Sequence, residues 1–188
     1  ANVAPPPTLK ISDLIHTPYE GWANETITMS VKVTNTGTET INYMLPFKVN
    51  DVIKGIKPIQ LSPGETQIVN STVTEDTEGT YSVNVAGLRG SFLIVPTGKH
   101  TLMVLASGSG TLPFTLNGVS HSTSYSELLP VGEYTIAVPD SYSTETALFK
   151  FAHWENGDTS ATRTVNLQSR MILVAQYSLI SGYASCPS

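Results

Sequence analysis

The side chains best suited to bind metals in this sequence are four histidines, at positions 16, 100, 121 and 153. Imidazole nitrogens form metal sites when ligands recur at a short spacing, such as His-x-x-x-His on one helix face. None of the four lies in such a spacing. We therefore expect solvent-facing or core imidazoles, and we predict no metal site and no cofactor.

The carboxylate and hydroxyl side chains also do not lie in known catalytic or ligand-binding motifs. Several acidic residues lie at or beside expected turns, where carboxylates commonly cap backbone donors: Asp51, Asp76, Glu78, Asp140 and Asp158. The sequence contains no Asp-x-Asp-x-Asp calcium loop, no Gly-x-Ser-x-Gly elbow and no phosphate loop. Two carboxylates could still meet in space to hydrolyse a glycoside, which the sequence leaves open. We predict no catalytic residue, so a small hydrolase or an enzyme's accessory module is the least favoured interpretation.

Two sets of residues could involve carbohydrate. Asn24-Glu25-Thr26 and Asn70-Ser71-Thr72 match the acceptor pattern for N-glycosylation, which makes Asn24 and Asn70 candidate glycosylation sites. A sugar-stacking platform could be formed by the aromatic residues Tyr19, Trp22, Tyr142 and Trp154. Trp154, however, continues the alternation of Phe149 and Phe151, which favours a core anchor of the second domain.

The amino-acid composition indicates which kinds of partner and which cellular location to expect. A net charge of −5, with no run of basic residues, argues against nucleic acid or an anionic membrane as partner. No window approaches 18 consecutive apolar residues, so the sequence predicts no transmembrane segment. The chain starts at Ala1 without Met, as expected after removal of a leader, although a trimmed chain would look the same. With 13% charged residues, these features favour an extracellular or cell-surface location.

The single cysteine, Cys186, cannot form an internal disulfide, so stability must come from packing. Cys186 is either an inert thiol near the end of the chain or the site of an intermolecular bridge.

The strand that organises the chain is the one that contains Val31 and Val33. From Ile27 onward apolar residues fall on every second position, which predicts a half-buried strand, and Asn35-Thr36-Gly37 then reverses the chain. The same alternation between short turns continues to the end of the sequence. We therefore predict an all-β fold made of two tandem antiparallel β-sandwich (Ig-like) domains.

The expected domain limits follow from the turn and proline segments. Residues 1–8 contain Pro5-Pro6-Pro7 and are predicted to be an extended tether. A first sandwich is expected over 9–95, a second small sandwich over 96–178, and a polar tail over 179–188.

The first domain resembles a known family. Its motifs, in order, are Val33-Thr34-Asn35-Thr36-Gly37-Thr38, Phe47-Lys48-Val49-Asn50-Asp51, Leu61-Ser62-Pro63-Gly64-Glu65 and Gly79-Thr80-Tyr81-Ser82-Val83. Together they resemble the CARDB-type immunoglobulin-like domain of bacterial and archaeal surface proteins, over roughly Leu9 to Val95. The resemblance implies a seven-stranded sandwich with Leu9 to Ile15 as its first strand, and a structural or adhesive role without catalytic residues.

The second domain is similar to small β repeats of archaeal and bacterial secreted proteins. The motifs that carry this similarity are Pro113-Phe114-Thr115-Leu116-Asn117-Gly118, Gly132-Glu133-Tyr134-Thr135-Ile136, Phe151-Ala152-His153-Trp154-Glu155-Asn156-Gly157 and Val174-Ala175-Gln176-Tyr177. This similarity also implies a scaffold without chemistry of its own.

The favoured function is a structural subunit of an extracellular filament or surface assembly. The edge of a sandwich can accept an extended segment from a neighbouring copy, which gives a homopolymer linked by donor-strand complementation. The donor-strand candidates are Leu9, Ile11, Leu14 and Ile15. The segment from Ser178 to Tyr183 is a second candidate. Such an architecture resembles archaeal thread-type pili.

If Leu9 to Ile15 is the first strand of the sandwich, donation becomes a strand exchange hinged between His16 and Gly21. The alternative function is a monomeric adhesion module of a larger surface protein, which binds surface glycans or another protein through its loops.

Overall fold

The computed structural model describes Pro6 and residues 8–108, 110–145 and 147–182, except for the side chains of residues 181 and 182. The chain divides into two compact units, Ala1–Thr97 and Gly98–Ser188. The described residues form strands and turns and contain no helix, which confirms the predicted all-β class.

Unit 1 consists of two sheets that share one core. Its strands are β1 (Leu9–Thr17), β2 (Glu20–Trp22), β3 (Ile27–Asn35), β4 (Ile41–Val49), β5 (Val52–Leu61), β6 (Thr66–Val73), β7 (Gly79–Val85) and β8 (Leu88–Val95). One sheet has the order β1-β3-β6 and the other β2-β8-β7-β4-β5. The two sheets pack together as a sandwich, as predicted.

The alternation in β3 explains how this core forms. Ile27, Met29, Val31 and Val33 are fully buried, while the residues between them face away from the core. The opposite sheet contributes Phe47 and other apolar residues at the same two-residue period.

Unit 2 repeats the two-sheet plan. Its strands are β9 (Lys99–Ser107), β10 (Pro113–Leu116), β11 (Val119–Ser122), β12 (Tyr125–Pro130), β13 (Gly132–Ala137), β14 (Ser141–Ser143), β15 (Ala147–Trp154), β16 (Thr162–Leu167) and β17 (Met171–Gly182). The sheets have the orders β11-β10-β13-β16 and β12-β9-β17-β15-β14. Trp154 is fully buried in the shared core.

Two strand pairs among the described residues depart from the antiparallel plan. Strands β2 and β8 run parallel, as do β9 and β17. In each unit the last strand therefore pairs in parallel with one of the first two strands.

Two strands of unit 2 end next to a turn or near the end of the chain. Strand β12 ends at Pro130, and the reversal follows at Val131. Strand β17 continues to Gly182, into the segment predicted to be a polar tail, because it pairs with β15 from Ala147 to Phe149.

Candidate functional site

Strand β1 lies at the edge of its sheet and pairs on one side, with β3. The antiparallel register runs from Leu9 opposite Asn35 to Thr17 opposite Thr28. The start of the strand is fixed by the residue after β3, because the backbone N–H and the hydroxyl of Thr36 both donate to the Thr8 carbonyl at 2.8 Å. Strand β1 thus attaches to the sheet along one row of backbone hydrogen bonds.

An irregularity in β1 decides which of the donor-strand candidates face the core. The register shifts between Ser12 and Ile15, where Asp13 has a φ of 56°. As a result Leu9 is buried, Ile11 and Leu14 pack partly buried against the core, and Ile15 is 58% exposed. The sequence holds a signal for this bulge, since adjacent Leu14 and Ile15 cannot both face the core of a regular strand.

The link between β1 and β2 is short. Pro18 and Tyr19 alone separate the end of β1 from Glu20, the first residue of β2. Strand β2 then pairs in parallel with β8, and the Leu93 N–H donates to the Tyr19 carbonyl at 3.0 Å. The chain is therefore anchored in the opposite sheet immediately after β1 ends.

His16 lies near the end of β1, where this strand packs across the sandwich on β8. Its ring is 5.4 Å from the Tyr19 ring, centroid to centroid. A Cβ added at Gly90 of β8 would lie 3.4 Å from His16 Cε1, so β8 covers the imidazole closely. Both ring nitrogens are buried, and neither has a hydrogen-bond partner among the described residues. Sequence reasoning missed this environment because it depends on a glycine in a distant strand.

Asn35 holds together the turn that follows β3. It is fully buried, and its Nδ2 donates to the carbonyls of Glu39 and Leu61 at 2.7 and 3.0 Å. Its Oδ1 accepts from the Gly37 N–H at 2.9 Å. This turn carries Thr36, so Asn35 also positions the residue that fixes the start of β1.

The outer face of the β4–β5 hairpin is an exposed apolar patch, which we call the hairpin patch. Across the pair, Met44 lies opposite Pro58 and Pro46 opposite Ile56. Met44 is 58% exposed and Ile56 50% exposed. Beside it lies a shallow groove of about 410 Å³, lined by Asn42, Tyr43, Met44, Pro58, Ile59 and Gln60. Sequence reasoning did not identify this patch.

The second candidate donor segment forms the end of β17. Residues Ser178 and Leu179 pair with β15, and Leu179 and Ile180 are 60% and 54% exposed. Tyr183 lies outside the described residues, as does Cys186.

The histidines and carboxylates do not converge. In the described ranges there is no group of three or more His, Cys, Asp or Glu side chains that could hold a metal ion. His100 is buried, and His121 lies in an aromatic contact 4.8 Å from Tyr125. Burial, together with the hydrogen bond to Glu127, raises the pKa of Tyr125 to about 12, so its hydroxyl stays protonated at neutral pH.

Among the aromatic residues, Trp154 is buried and cannot stack on a sugar. Its Nε1 donates to the Ser160 carbonyl at 2.8 Å, and the Arg163 guanidinium lies 5.4 Å from its ring. Tyr142 stacks on Phe149 at 5.1 Å. Tyr19 is 41% exposed in unit 1.

The two glycosylation candidates differ in local structure. Asn24 is exposed in the turn between β2 and β3, with a φ of 65°. Asn70 is exposed on β6, on the same outer face as Thr72, while Ser71 between them is buried.

One known family matches part of the chain. The model of the CARDB family matches residues 6–87, which confirms the resemblance inferred for the first domain over nearly all of its predicted length. This match indicates an Ig-like module of the type found in surface and adhesion proteins, a class that is typically non-catalytic. No curated protein matches the chain. No helix in the described part of the chain has the length and apolar character needed to cross a bilayer. The similarity of the second domain to small β repeats stays a prediction.

Proposed function

We propose that the chain is a non-enzymatic structural subunit of an extracellular filament or cell-surface assembly, in which copies are linked by exchange of β1. The observation that carries this proposal is the one-sided attachment of β1 at the edge of unit 1. The match of residues 6–87 to an Ig-like surface module supports the setting.

Exchange of β1 preserves the contacts that the strand makes. In the chain described here β1 completes its own sandwich, with Leu9 buried and Leu14 against the core. A neighbouring copy could supply the same strand to the same site, with the same hydrogen bonds and buried area. Such swapping is a low-cost route to oligomers, since only the connection between strand and body changes.

The short link between β1 and β2 favours exchange over a closed monomer. Short hinge loops are connections at which strand swapping tends to occur. Pro18 and Tyr19 are the residues between the two strands, within the hinge predicted between His16 and Gly21. Copies linked in this way form an open polymer when each copy donates β1 to one neighbour and accepts it from another, and the rotation between copies does not close a ring.

A cross-strand disulfide separates exchanged from unexchanged copies. Ser12 of β1 lies directly opposite Lys32 of β3, and paired residues in a sheet are close enough for a disulfide. In a Cys186→Ser background, the variant Ser12→Cys with Lys32→Cys is purified, concentrated and oxidised. We expect a ladder of linked copies on a non-reducing denaturing gel, and fibres by electron microscopy.

The control pair places both thiols in the body of unit 1. Thr28 of β3 lies opposite Thr72 of β6, so Thr28→Cys with Thr72→Cys should close within one chain in either case. If the Ser12 and Lys32 pair also closes within one chain at every concentration, exchange of β1 is excluded. Deletion of residues 1–15 is a second test, and deleted chains that still form normal fibres would also exclude it.

The hairpin patch favours a second candidate function, a monomeric adhesion module. Exposed Met44 and Ile56 form an apolar surface of the type that marks protein contacts. This alternative predicts a monomer in solution and loss of binding to the cell surface when Met44→Lys and Ile56→Lys are introduced. Fibres formed by that double variant would support the filament function instead.

N-glycosylation of the chain itself is also part of the proposal. Asn24 and Asn70 are both exposed, as modification requires. Intact-mass analysis of native protein, with Asn24→Gln and Asn70→Gln as matched variants, is expected to show a mass loss for each occupied site. An unmodified native mass would exclude glycosylation.

A further inference from the structure

His16 places a titratable group inside the contact that β1 must break in order to exchange. Its ring lies under Gly90 of β8, and its buried nitrogens have no hydrogen-bond partner in the part of the chain that the structure describes. A buried polar group without a partner lowers stability and usually has a specific explanation. The position of His16, three residues before Tyr19 in the hinge, suggests one.

Protonation of His16 would greatly increase the free-energy cost of burying its ring. The neutral ring can be buried beside apolar groups, but an imidazolium with no anionic partner among its neighbours is unfavourable there, even with a Ser91 backbone group as a weak acceptor. Burial accordingly lowers the pKa of His16, and a backbone group of Ser91 opposes this shift in part.

The neighbours of the ring that the structure identifies are uncharged. They are Tyr19 from the link, Met29 opposite it on β3, and Gly90 and Ser91 on β8. Tyr19 is the one of these four with an ionisable side chain, a phenol. No charge from them would compensate an imidazolium at this position.

We propose that protonation of His16 releases β1 from unit 1, so that mild acid opens the strand for exchange and near-neutral pH closes it. This inference rests on the proposed function and adds its regulation. The assembly would then form or rearrange as pH falls through the range in which imidazole titrates.

The direction and the limit of the effect follow from linkage. A group whose pKa is lower in the folded state gives stability that is present above its unfolded pKa and is lost as pH falls toward the folded pKa. If His16 is protonated only when β1 is open, with a pKa of about 6.5, lowering the pH from 7.5 to 5.0 raises the equilibrium constant for opening by about 30-fold. This is the upper limit, because any protonation of His16 in the closed state makes the increase in this constant smaller.

Hydrogen exchange measures the opening directly. Protection factors, which are corrected for intrinsic exchange rates, are measured for the β1 amides of the full chain at pH 7.5 and 5.0. We expect them to fall by as much as 30-fold in the wild type and to be unchanged in His16→Phe, which keeps an aromatic ring that cannot be protonated. His153→Gln is the matched control, because His153 is exposed in unit 2, and it should behave as the wild type.

The second measurement separates this inference from the proposed function. Chains with the Ser12 and Lys32 cysteine pair are incubated reduced at each pH and then oxidised at pH 7.5. More linked product after pH 5.0, abolished by His16→Phe, supports both proposals. A fall in protection that depends on His16, without linked product, supports acid release and overturns the filament function.

Two further outcomes would overturn the inference. One is linked product in equal amounts at both pH values, which would leave the filament function intact. The other is an equal loss of protection in His16→Phe and the wild type. Where His16→Phe does not fold, His16→Gln provides the same uncharged comparison.

Discussion

Replacement of Asn35 by Asp should destabilise unit 1 far more than an isosteric change normally does. The Asn35 Nδ2 donates to the carbonyls of Glu39 and Leu61, and the second of these bonds is buried. In Asn35→Asp an oxygen takes the place of that nitrogen and faces two carbonyl oxygens. Each carbonyl that loses its donor costs roughly 1 to 3 kcal/mol, with the partly exposed Glu39 contact at the lower end. We expect a loss of roughly 3 to 4 kcal/mol at neutral pH.

The same substitution should make stability depend on pH in a defined direction. The buried carboxyl group faces two carbonyl oxygens with one of its own, so its pKa in the folded state is raised above the unfolded value of about 3.9. A raised pKa gives stability that is present below the unfolded pKa and is lost as pH rises through the folded pKa. In the acid form the new hydroxyl donates to one of the two carbonyls. The loss relative to wild type should therefore be smallest near pH 3.5 and largest above neutrality.

Urea unfolding followed by peptide-resolved hydrogen exchange measures this loss in unit 1 alone. Asn84→Asp is the matched control, since the Asn84 Oδ1 accepts from the Gly87 N–H and an Asp oxygen can do the same. We expect the control to change the free energy of unfolding by less than about 0.5 kcal/mol. If Asn35→Asp costs less than about 1 kcal/mol at pH 7, or no more than the control, the role assigned to the Asn35 amide is wrong.

Three other predictions concern the cores and the edges. Trp154→Ala should cost unit 2 about 3 to 5 kcal/mol in thermal unfolding, because the indole is fully buried, and a loss below 1 kcal/mol would contradict that placement. Burial alone would raise the pKa of Glu155, but hydrogen bonds from the Val174 N–H and Arg163 outweigh it and hold that pKa below its ordinary value. Unit 2 should then lose stability as pH falls through this lowered pKa, and Glu155→Gln should reduce the slope in acid denaturation. Finally, Pro46→Thr with Pro58→Thr restores two backbone donors to the β4–β5 hairpin, so sedimentation velocity should detect more self-association than in the wild type.

The fold could be predicted from the sequence wherever one face of a strand is buried and the other is exposed to solvent. The alternation from Ile27 to Val33 fixes β3, and the clean alternation after Gly79 fixes β7. Strand β5 did not follow this rule, since exposed Val52 and Ile53 are adjacent and apolar, and Pro58 argues against a strand. An edge strand tolerates such residues, but its position at the edge is known only once the sheet is assembled.

The candidate site was predictable in part for a similar reason. The sequence places a first strand from Leu9 to Ile15, and the structure forms it over Leu9–Thr17. The burial of the His16 ring nitrogens depends on contacts with β8, far away in sequence. No local pattern around His16 contains that information.

A comparison of the edges of unit 1 explains why β1, rather than another strand, is proposed for exchange. The β4–β5 hairpin has prolines on both strands, which remove backbone donors. Strand β6 is covered by β5, because Gly55 packs against Ser71 and Lys54 forms an ion pair with Glu75 at 2.8 Å. Strand β2 has three residues, too few for a stable addition. Strand β1 has nine residues, no proline, a two-residue link and an imidazole with buried nitrogens that acid can charge. It is the edge of unit 1 whose release and replacement the described residues favour.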